Sequence, residues 1–172
     1  MAENVFEQIV KSSVNLPFVH VNRTEFLRKE LTPFYTADEI ERVITNGPRG
    51  IVDKKIIDKI AKGCINYHTT VVCSTSALAG LPGGGAMVGT IPADVAQFYG
   101  HVFALTQKML YIYGWPDLSD GSGKISDSSA QVLILFTGLM MGVQIAEVGI
   151  KAVTEAMTKA AQKKIATMVL KY

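Results

Sequence analysis

The sequence is poor in cysteine and has almost no excess of either charge. Its 172 residues include two cysteines, Cys64 and Cys73, which are too few for a disulfide scaffold and suit a reducing compartment. With 17 Lys and Arg against 15 Asp and Glu, it lacks the basic excess of a dedicated nucleic-acid binder. Because 48% of the residues are hydrophobic, disorder is excluded, and one domain spanning residues 1–172 is expected at this length.

Formal charge is nearly absent from two long segments. Asp94 is the only charged residue in the 45 residues from Gly63 to Gln107, and the 19 residues from Ser128 to Ala146 carry none. Residues 1–62, in contrast, carry 19 of the 32 formal charges. Long uncharged segments are buried either by protein or by lipid. The sequence therefore predicts charged amphipathic helices over residues 1–50 and an apolar helical core over residues 53–172.

Helical periodicity dominates the sequence, and no segment favours a strand. We predict an all-α bundle of about six helices. Short helices are expected at residues 3–15, after Asn22 and after Thr36, the last two with a glutamate three residues beyond the cap. Apolar helices at 53–81 and 92–114 are expected to form a central hairpin. A long helix from residue 128 toward Tyr172 is expected to pack against that hairpin.

Each helix of the central hairpin has an apolar stripe at helical spacing. In the first helix the stripe consists of Ile57, Ile60, Cys64, Tyr67, Val71, Ser74, Leu78 and Leu81. Steps of three and four residues are typical of a helix packing face. The second helix is expected to begin at Pro92, which makes Asp94 its third residue. There the carboxylate would stabilise the free N–H groups of the first turn, although a lone acid in an apolar segment also suits a site with a raised pKa.

Several short motifs resemble the EcsC family of bacteria. They are the glycine- and proline-rich segment 79–85, Thr90-Ile91-Pro92-Ala93-Asp94, Phe98-Tyr99-Gly100 and Tyr113-Gly114, and the resemblance is best over residues 53–115. It implies a bacterial helical protein, named for an operon that also encodes an ABC transporter, with no established activity. It assigns no catalytic residue. Similar proteins extend further, so the resemblance implies a short or truncated member.

A glycine-rich segment joins the two helices of the hairpin. We expect it to form a tight elbow or hinge, because glycine permits sharp turns and close backbone approach. A phosphate-binding loop is the alternative, but no strand precedes the segment and no Gly-Lys-Ser/Thr follows it. A membrane-active loop is the third interpretation. The elbow residues are Gly80, Pro82, Gly83, Gly84, Gly85 and Gly89.

Small and aromatic residues suggest two further kinds of contact. Gly138, Gly142 and Ala146 are spaced four residues apart and would form a ridge for close helix packing, in protein or in lipid. Tyr111, Tyr113 and Trp115 cluster at one helix end. Such a cluster is typical of a membrane interface and equally of the rim of a protein core.

The candidates for catalysis are few. Asp94 with His68 or His101 could serve a hydrolase, and His101 would approach His68 if the two hairpin helices packed antiparallel. Cys64 lies one turn from His68, which is a possible metal-ligand spacing. However, no Cys-x-x-Cys, His-Glu-x-x-His or Gly-x-Ser-x-Gly motif supports such chemistry. We therefore expect neither a metal nor another cofactor.

These patterns favour a non-enzymatic bacterial protein that acts at the membrane or on a membrane-bound partner. The first ten residues contain Glu3 and Glu7 and lack a secretory signal, so a cytoplasmic protein at the inner face of the membrane is expected. The partners would be membrane lipid, a membrane protein or a second copy of the chain, but not nucleic acid. The alternative is a helical module that binds a lipid-like ligand in an apolar cavity.

Overall fold

The regular secondary structure is helical in the part of the chain that the computed structural model describes, namely residues 13, 16–80, 87–119, 125–140, 142, 149, 151–156 and 158–159. The helices are α1 (Arg23–Leu31), α2 (Ala37–Asn46), α3 (Lys54–Gly80), α4 (Met87–Ile112) and α5 (Asp127–Met140). Among these described residues there is no strand, only an isolated bridge between Ser119 and Ile125. The all-α prediction is confirmed. The chain forms two compact units, Met1–Ser126 and Asp127–Tyr172.

The two short helices begin at the residues that the sequence predicts. The Asn22 side chain accepts a hydrogen bond from the Glu25 backbone N–H at 3.0 Å and caps α1. Thr36 and Glu39 form a reciprocal capping box at the start of α2. Gly47 ends that helix with a φ of +85°, a conformation that glycine adopts without steric cost.

Helices α3 and α4 pack antiparallel and make the most extensive contact between two helices in the described chain. Their polar contacts run in opposite directions along the two sequences: His68 meets His101, Thr75 meets Gln97 and Ser76 meets Asp94. Polar side chains of α3 therefore face α4. This contact positions the candidate site described below.

The apolar stripe predicted for α3 is buried only in its first half. Ile60 and Cys64 are buried, whereas Tyr67 is 59% and Leu78 is 65% exposed. The prediction that the whole stripe is a packing face is therefore wrong. The physical reason is that α4 packs against the neighbouring face, which carries the polar residues.

Helix α4 begins at Met87, five residues before the predicted start at Pro92. Proline lacks an N–H, so the helix lacks one bond, to the carbonyl of Val88, near its N-terminal end. Asp94 is consequently the eighth residue of α4 rather than the third. Its predicted role at the free N–H groups of the first turn is wrong, because those groups lie about 6 Å or more further back along the axis.

A buried glutamine holds the segment that precedes α1 against α4. Gln107 is fully buried; its Oε1 accepts from the Val21 backbone N–H at 3.2 Å, and its Nε2 donates to the Val19 carbonyl at 2.7 Å. Nearby, Arg23 donates to the Ile44 carbonyl at 2.8 Å and to the Trp115 carbonyl at 3.0 Å. These side chains tie α1, α2 and the end of α4 together through backbone groups.

The Asp127–Tyr172 unit departs from the predicted single long helix. Helix α5 ends at Met140, and Gly142 lies in a turn with a φ of +77° and donates its N–H to the Leu139 carbonyl at 3.0 Å. A Cβ on Gly149, which is itself helical, would lie 2.9 Å from the Leu135 side chain, so Gly149 lies beside α5 and not in line with it. The ridge is therefore not one helical face: Gly138 is in α5, Gly142 is in the turn, and Ala146 lies outside the described residues.

We expect Gln107→Leu to lower the free energy of unfolding by about 2–6 kcal/mol, because one buried donor and one buried acceptor lose their partner and each costs about 1–3 kcal/mol. Urea denaturation measures the change. Gln131→Leu, at an exposed position of α5, is the matched control and should stay within about 0.5 kcal/mol of the parent. Equal effects of the two substitutions would contradict the role assigned to Gln107.

Candidate functional site

Two histidines from different helices meet inside the α3–α4 contact. His68 Nδ1 and His101 Nδ1 lie 3.1 Å apart, and the side chains are only 5% and 8% exposed. The antiparallel packing of the two helices brings His68 and His101 together, which is the condition that the sequence analysis set for their contact. They are the two sequence-predicted candidates that the fold places in direct contact.

Asp94 does not join the histidines. Its Oδ1 accepts a hydrogen bond from the Ser76 hydroxyl at 2.8 Å, and it precedes His101 by seven residues, or about 10 Å along α4. One turn nearer to His101, Gln97 Nε2 donates to the Thr75 hydroxyl at 2.8 Å. The hydrolase arrangement of Asp94 with a histidine is therefore wrong. Asp94, the lone carboxylate of the apolar segment, instead links α4 to α3 through its hydrogen bond with Ser76.

Lysine 108 completes the histidine cluster from the next turns of α4. Its Nζ lies 2.9 Å from His68 Nε2 and 5.3 Å from the centre of the Tyr67 ring. Tyr67 also meets the His68 ring edge-on, with ring centres 5.1 Å apart. We call Lys108, His68 and His101 the relay cluster, because their polar atoms form one continuous row.

The surroundings keep both imidazoles neutral at pH 7. Burial, then the Lys108 charge, then His101 lower the pKa of His68 from 6.5 to about 4. The pKa of His101 is likewise lowered, by burial and then by Lys108. Burial also lowers the pKa of Lys108, while Cys64 and Glu30 act to raise it. Protonating either histidine would therefore place a second positive charge beside Lys108 in a partly dry site.

An aromatic ring from outside the two helices covers His101. The Phe18 ring stacks on the imidazole with ring centres 4.7 Å apart and an interplanar angle of 29°. Gly100 makes this approach possible, since a Cβ at that position would lie 2.8 Å from the Phe18 ring. A larger residue at position 100 would displace Phe18 from His101.

A groove lies between α3 and α4 beside the two histidines. It has a volume of about 210 Å³, and His68 and His101 form part of its wall. The other lining residues are mainly apolar: Thr69, Val72, Cys73, Phe98, Val102 and Leu105. We call this space the α3–α4 groove. It combines an apolar wall with two neutral imidazoles, an arrangement typical of a site for a small organic molecule.

The remaining sequence candidates lie elsewhere. Gly80 is the last residue of α3 and Gly89 belongs to α4, while Pro82, Gly83, Gly84 and Gly85 lie outside the described residues. Gly89 is thus helical and not part of an elbow.

The proposed interfacial aromatics divide into three environments. Tyr111 is fully buried, which favours the alternative of a protein core over a membrane interface for this residue, and burial above all raises its pKa to about 12. Its hydroxyl oxygen instead accepts from the Leu118 N–H at 3.3 Å. Tyr113 is exposed and Trp115 is half-buried.

The described ranges hold neither a cluster of metal ligands nor a membrane-spanning helix. These residues contain no group of three or more His, Cys, Asp or Glu side chains that could hold a metal ion. None of their helices combines the length and hydrophobicity that crossing a membrane requires. Comparison of the chain with protein-family models, with curated proteins and with solved structures gives no match.

Sequence reasoning missed two residues of the site. Lys108 follows His101 by seven residues, and Gln97 precedes His101 by four; these spacings place the three polar residues on one face of a helix, so the sequence contained this signal. Phe18 had no such signal, because its contact depends on the fold of the segment before α1 and on the absence of a side chain at Gly100.

We expect the free energy of unfolding to decrease at acidic pH, because the folded state disfavours protonation of His68. Since its folded pKa of about 4 is below its unfolded value near 6.5, the unfolded state binds the extra proton between these values. Stability is therefore highest above pH 6.5 and falls as the pH decreases toward 4. Urea midpoints at pH 7, 6 and 5 measure this loss.

His68→Gln is the control variant, because it keeps a neutral acceptor and removes the titrating group. Its midpoint should fall less steeply over the same range. An identical pH dependence in the two proteins would show that His68 is not held neutral by the fold.

Proposed function

We propose that this protein is a helical binding module that holds a small, largely apolar molecule in the α3–α4 groove. The observation that carries the proposal is the groove itself, with apolar walls from both long helices and two neutral imidazoles at one side. Apolar walls supply most of the binding free energy in such sites, and a few polar groups orient the ligand. The groove residues lie on helices, which fixes their spacing.

The volume of the groove limits the size of the ligand that it can hold. A dry apolar cavity of about 150 Å³ holds benzene, and drug-sized ligands need about 300–1,000 Å³. At about 210 Å³, the groove suits one aromatic ring or a short acyl chain. A lipid-like ligand would place only part of its length here.

Benzene is the probe for this proposal. Titration followed by methyl NMR should give saturable shifts at Val72, Val102 and Leu105, which line the groove. Val102→Phe should fill the groove and weaken binding at least tenfold. The matched control is Val71→Phe, on the face of α3 that carries Tyr67 and Leu78, and it should leave binding unchanged. Absence of saturable shifts, or equal effects of the two variants, would contradict the proposal.

A second proposal is reversible binding to a membrane surface. It is favoured by the exposed half of the α3 stripe, where Tyr67 and Leu78 lie on one helix face three turns apart. A helix that presents apolar side chains to water can bury them at the lipid interface. The resemblance to the EcsC family supports a bacterial protein at the inner face of the membrane, and membership of that family is part of this proposal.

We expect the protein to co-float with vesicles of phosphatidylcholine and phosphatidylglycerol. Leu78→Glu should reduce the floated fraction at least threefold, because it places a charge on the exposed stripe. Asn66→Glu is the control, as it adds the same charge to α3 on another, exposed face. Failure of the parent protein to float with either neutral or anionic vesicles would contradict the membrane proposal. It would not bear on the groove proposal.

A further inference from the structure

The direction of the hydrogen bonds in the relay cluster follows from the chemistry of its end groups. Lys108 as an ammonium donates and cannot accept, so His68 Nε2, 2.9 Å away, must accept and carry no proton. A neutral His68 then has its proton on Nδ1. It donates this proton to His101 Nδ1 at 3.1 Å. The reverse direction would set an N–H of His68 against an N–H of Lys108.

His101 consequently carries its own proton on Nε2. Among the described residues nothing hydrogen-bonds to that atom, whereas His101 Nδ1 is satisfied by His68. Since His101 lines the α3–α4 groove, this N–H, which has no hydrogen-bond partner among the described residues, is the His101 donor open to a ligand there. Each bond in the row polarises the next, so the Lys108 charge strengthens this donor.

Lys108, the cation at one end of the relay cluster, has no bonded counter-ion among the described residues. Within the described residues, the side-chain atom that Lys108 Nζ bonds is His68 Nε2, and no carboxylate lies within 4.0 Å of it. Outside the relay cluster, Cys64, Glu30 and Lys29 act electrostatically on Lys108, and the Tyr67 ring lies 5.3 Å from its Nζ. The relay cluster therefore has a cation at the end away from His101, and no described carboxylate neutralises it by direct contact.

We propose that the ligand of the α3–α4 groove carries a carboxylate, which accepts a hydrogen bond from His101 Nε2–H while its apolar body contacts Val72, Phe98, Val102 and Leu105. This inference rests on the proposed function and specifies its ligand class as a small aromatic or aliphatic carboxylic acid. A neutral hydrocarbon would leave the His101 donor unsatisfied. A cationic head group would meet that donor, whose positive character Lys108 increases through His68.

Three probes of one ring size test the head group: benzene, benzoate and benzylamine, which is protonated at pH 7. Isothermal titration and groove methyl shifts should give benzoate at least tenfold tighter binding than benzene, with benzylamine the weakest. Lys108→Met should weaken benzoate binding about tenfold and leave benzene binding within twofold. The matched control is Lys59→Met, which removes another lysine whose Nζ lies over an aromatic ring, 4.9 Å from the centre of Phe34.

A measurement on the parent protein keeps the inference testable if Lys108→Met does not fold. Nitrogen-15 NMR of the imidazoles at pH 7 should show His68 protonated on Nδ1 and His101 on Nε2. Benzoate should shift His101 Nε2 more than benzene does. The opposite tautomer on either ring overturns the inference.

The two proposals fail in different ways. If none of the three probes binds, the proposed function fails. If benzene binds as tightly as benzoate, or if Lys108→Met leaves benzoate binding unchanged, the carboxylate inference fails while the groove remains a binding site. If benzylamine binds most tightly, the donor direction along the row is reversed and the inference is likewise overturned.

Discussion

The polar contact between α3 and α4 is the constraint on which the site depends. Hydroxyl, amide, carboxylate and imidazole groups that would cost free energy if buried alone are paired across it, Ser76 with Asp94, Thr75 with Gln97 and His68 with His101. Each pair is satisfied only in one register of the two helices. A slide of one turn would separate the members of each pair by about 5 Å. The contact therefore fixes the register as well as the packing.

That register explains why a groove and a charged row occur side by side. Polar side chains meet across the helix contact, and the space beside them is enclosed by Val72, Phe98, Val102 and Leu105. The same antiparallel arrangement sets Lys108 behind His68, where burial and its charge keep the imidazole neutral. A neutral imidazole can be a donor at one nitrogen and an acceptor at the other, which a protonated one cannot.

Local features of the fold were predictable because their causes are local. The caps at Asn22 and Thr36 use residues within four positions of each other, and both occur as the sequence indicates. The packing face of α3 was not predictable from hydrophobicity, since its helix partner covers the side that carries His68, Thr75 and Ser76. The turn at Gly142 was also missed, because the spacing of small residues suits a helix interface as well as a helix end. For the site, His68 and His101 were candidates, but their true neighbours depended on the register.

The attachment of the segment before α1 has a kinetic consequence. The Val19 carbonyl accepts a hydrogen bond from Gln107 of α4, and Phe18 is the adjacent residue. The backbone at Phe18 is therefore fixed to the helix that carries His101, on which the Phe18 ring stacks. Phe18 is 43% exposed, and a change of its side-chain rotamer would move the ring without moving the backbone. Such rotations occur in picoseconds to nanoseconds, whereas loop displacement takes nanoseconds to microseconds. Exposing the face of His101 that Phe18 covers therefore requires only the faster side-chain rotation. A molecule that binds this face after such a rotation would exchange rapidly.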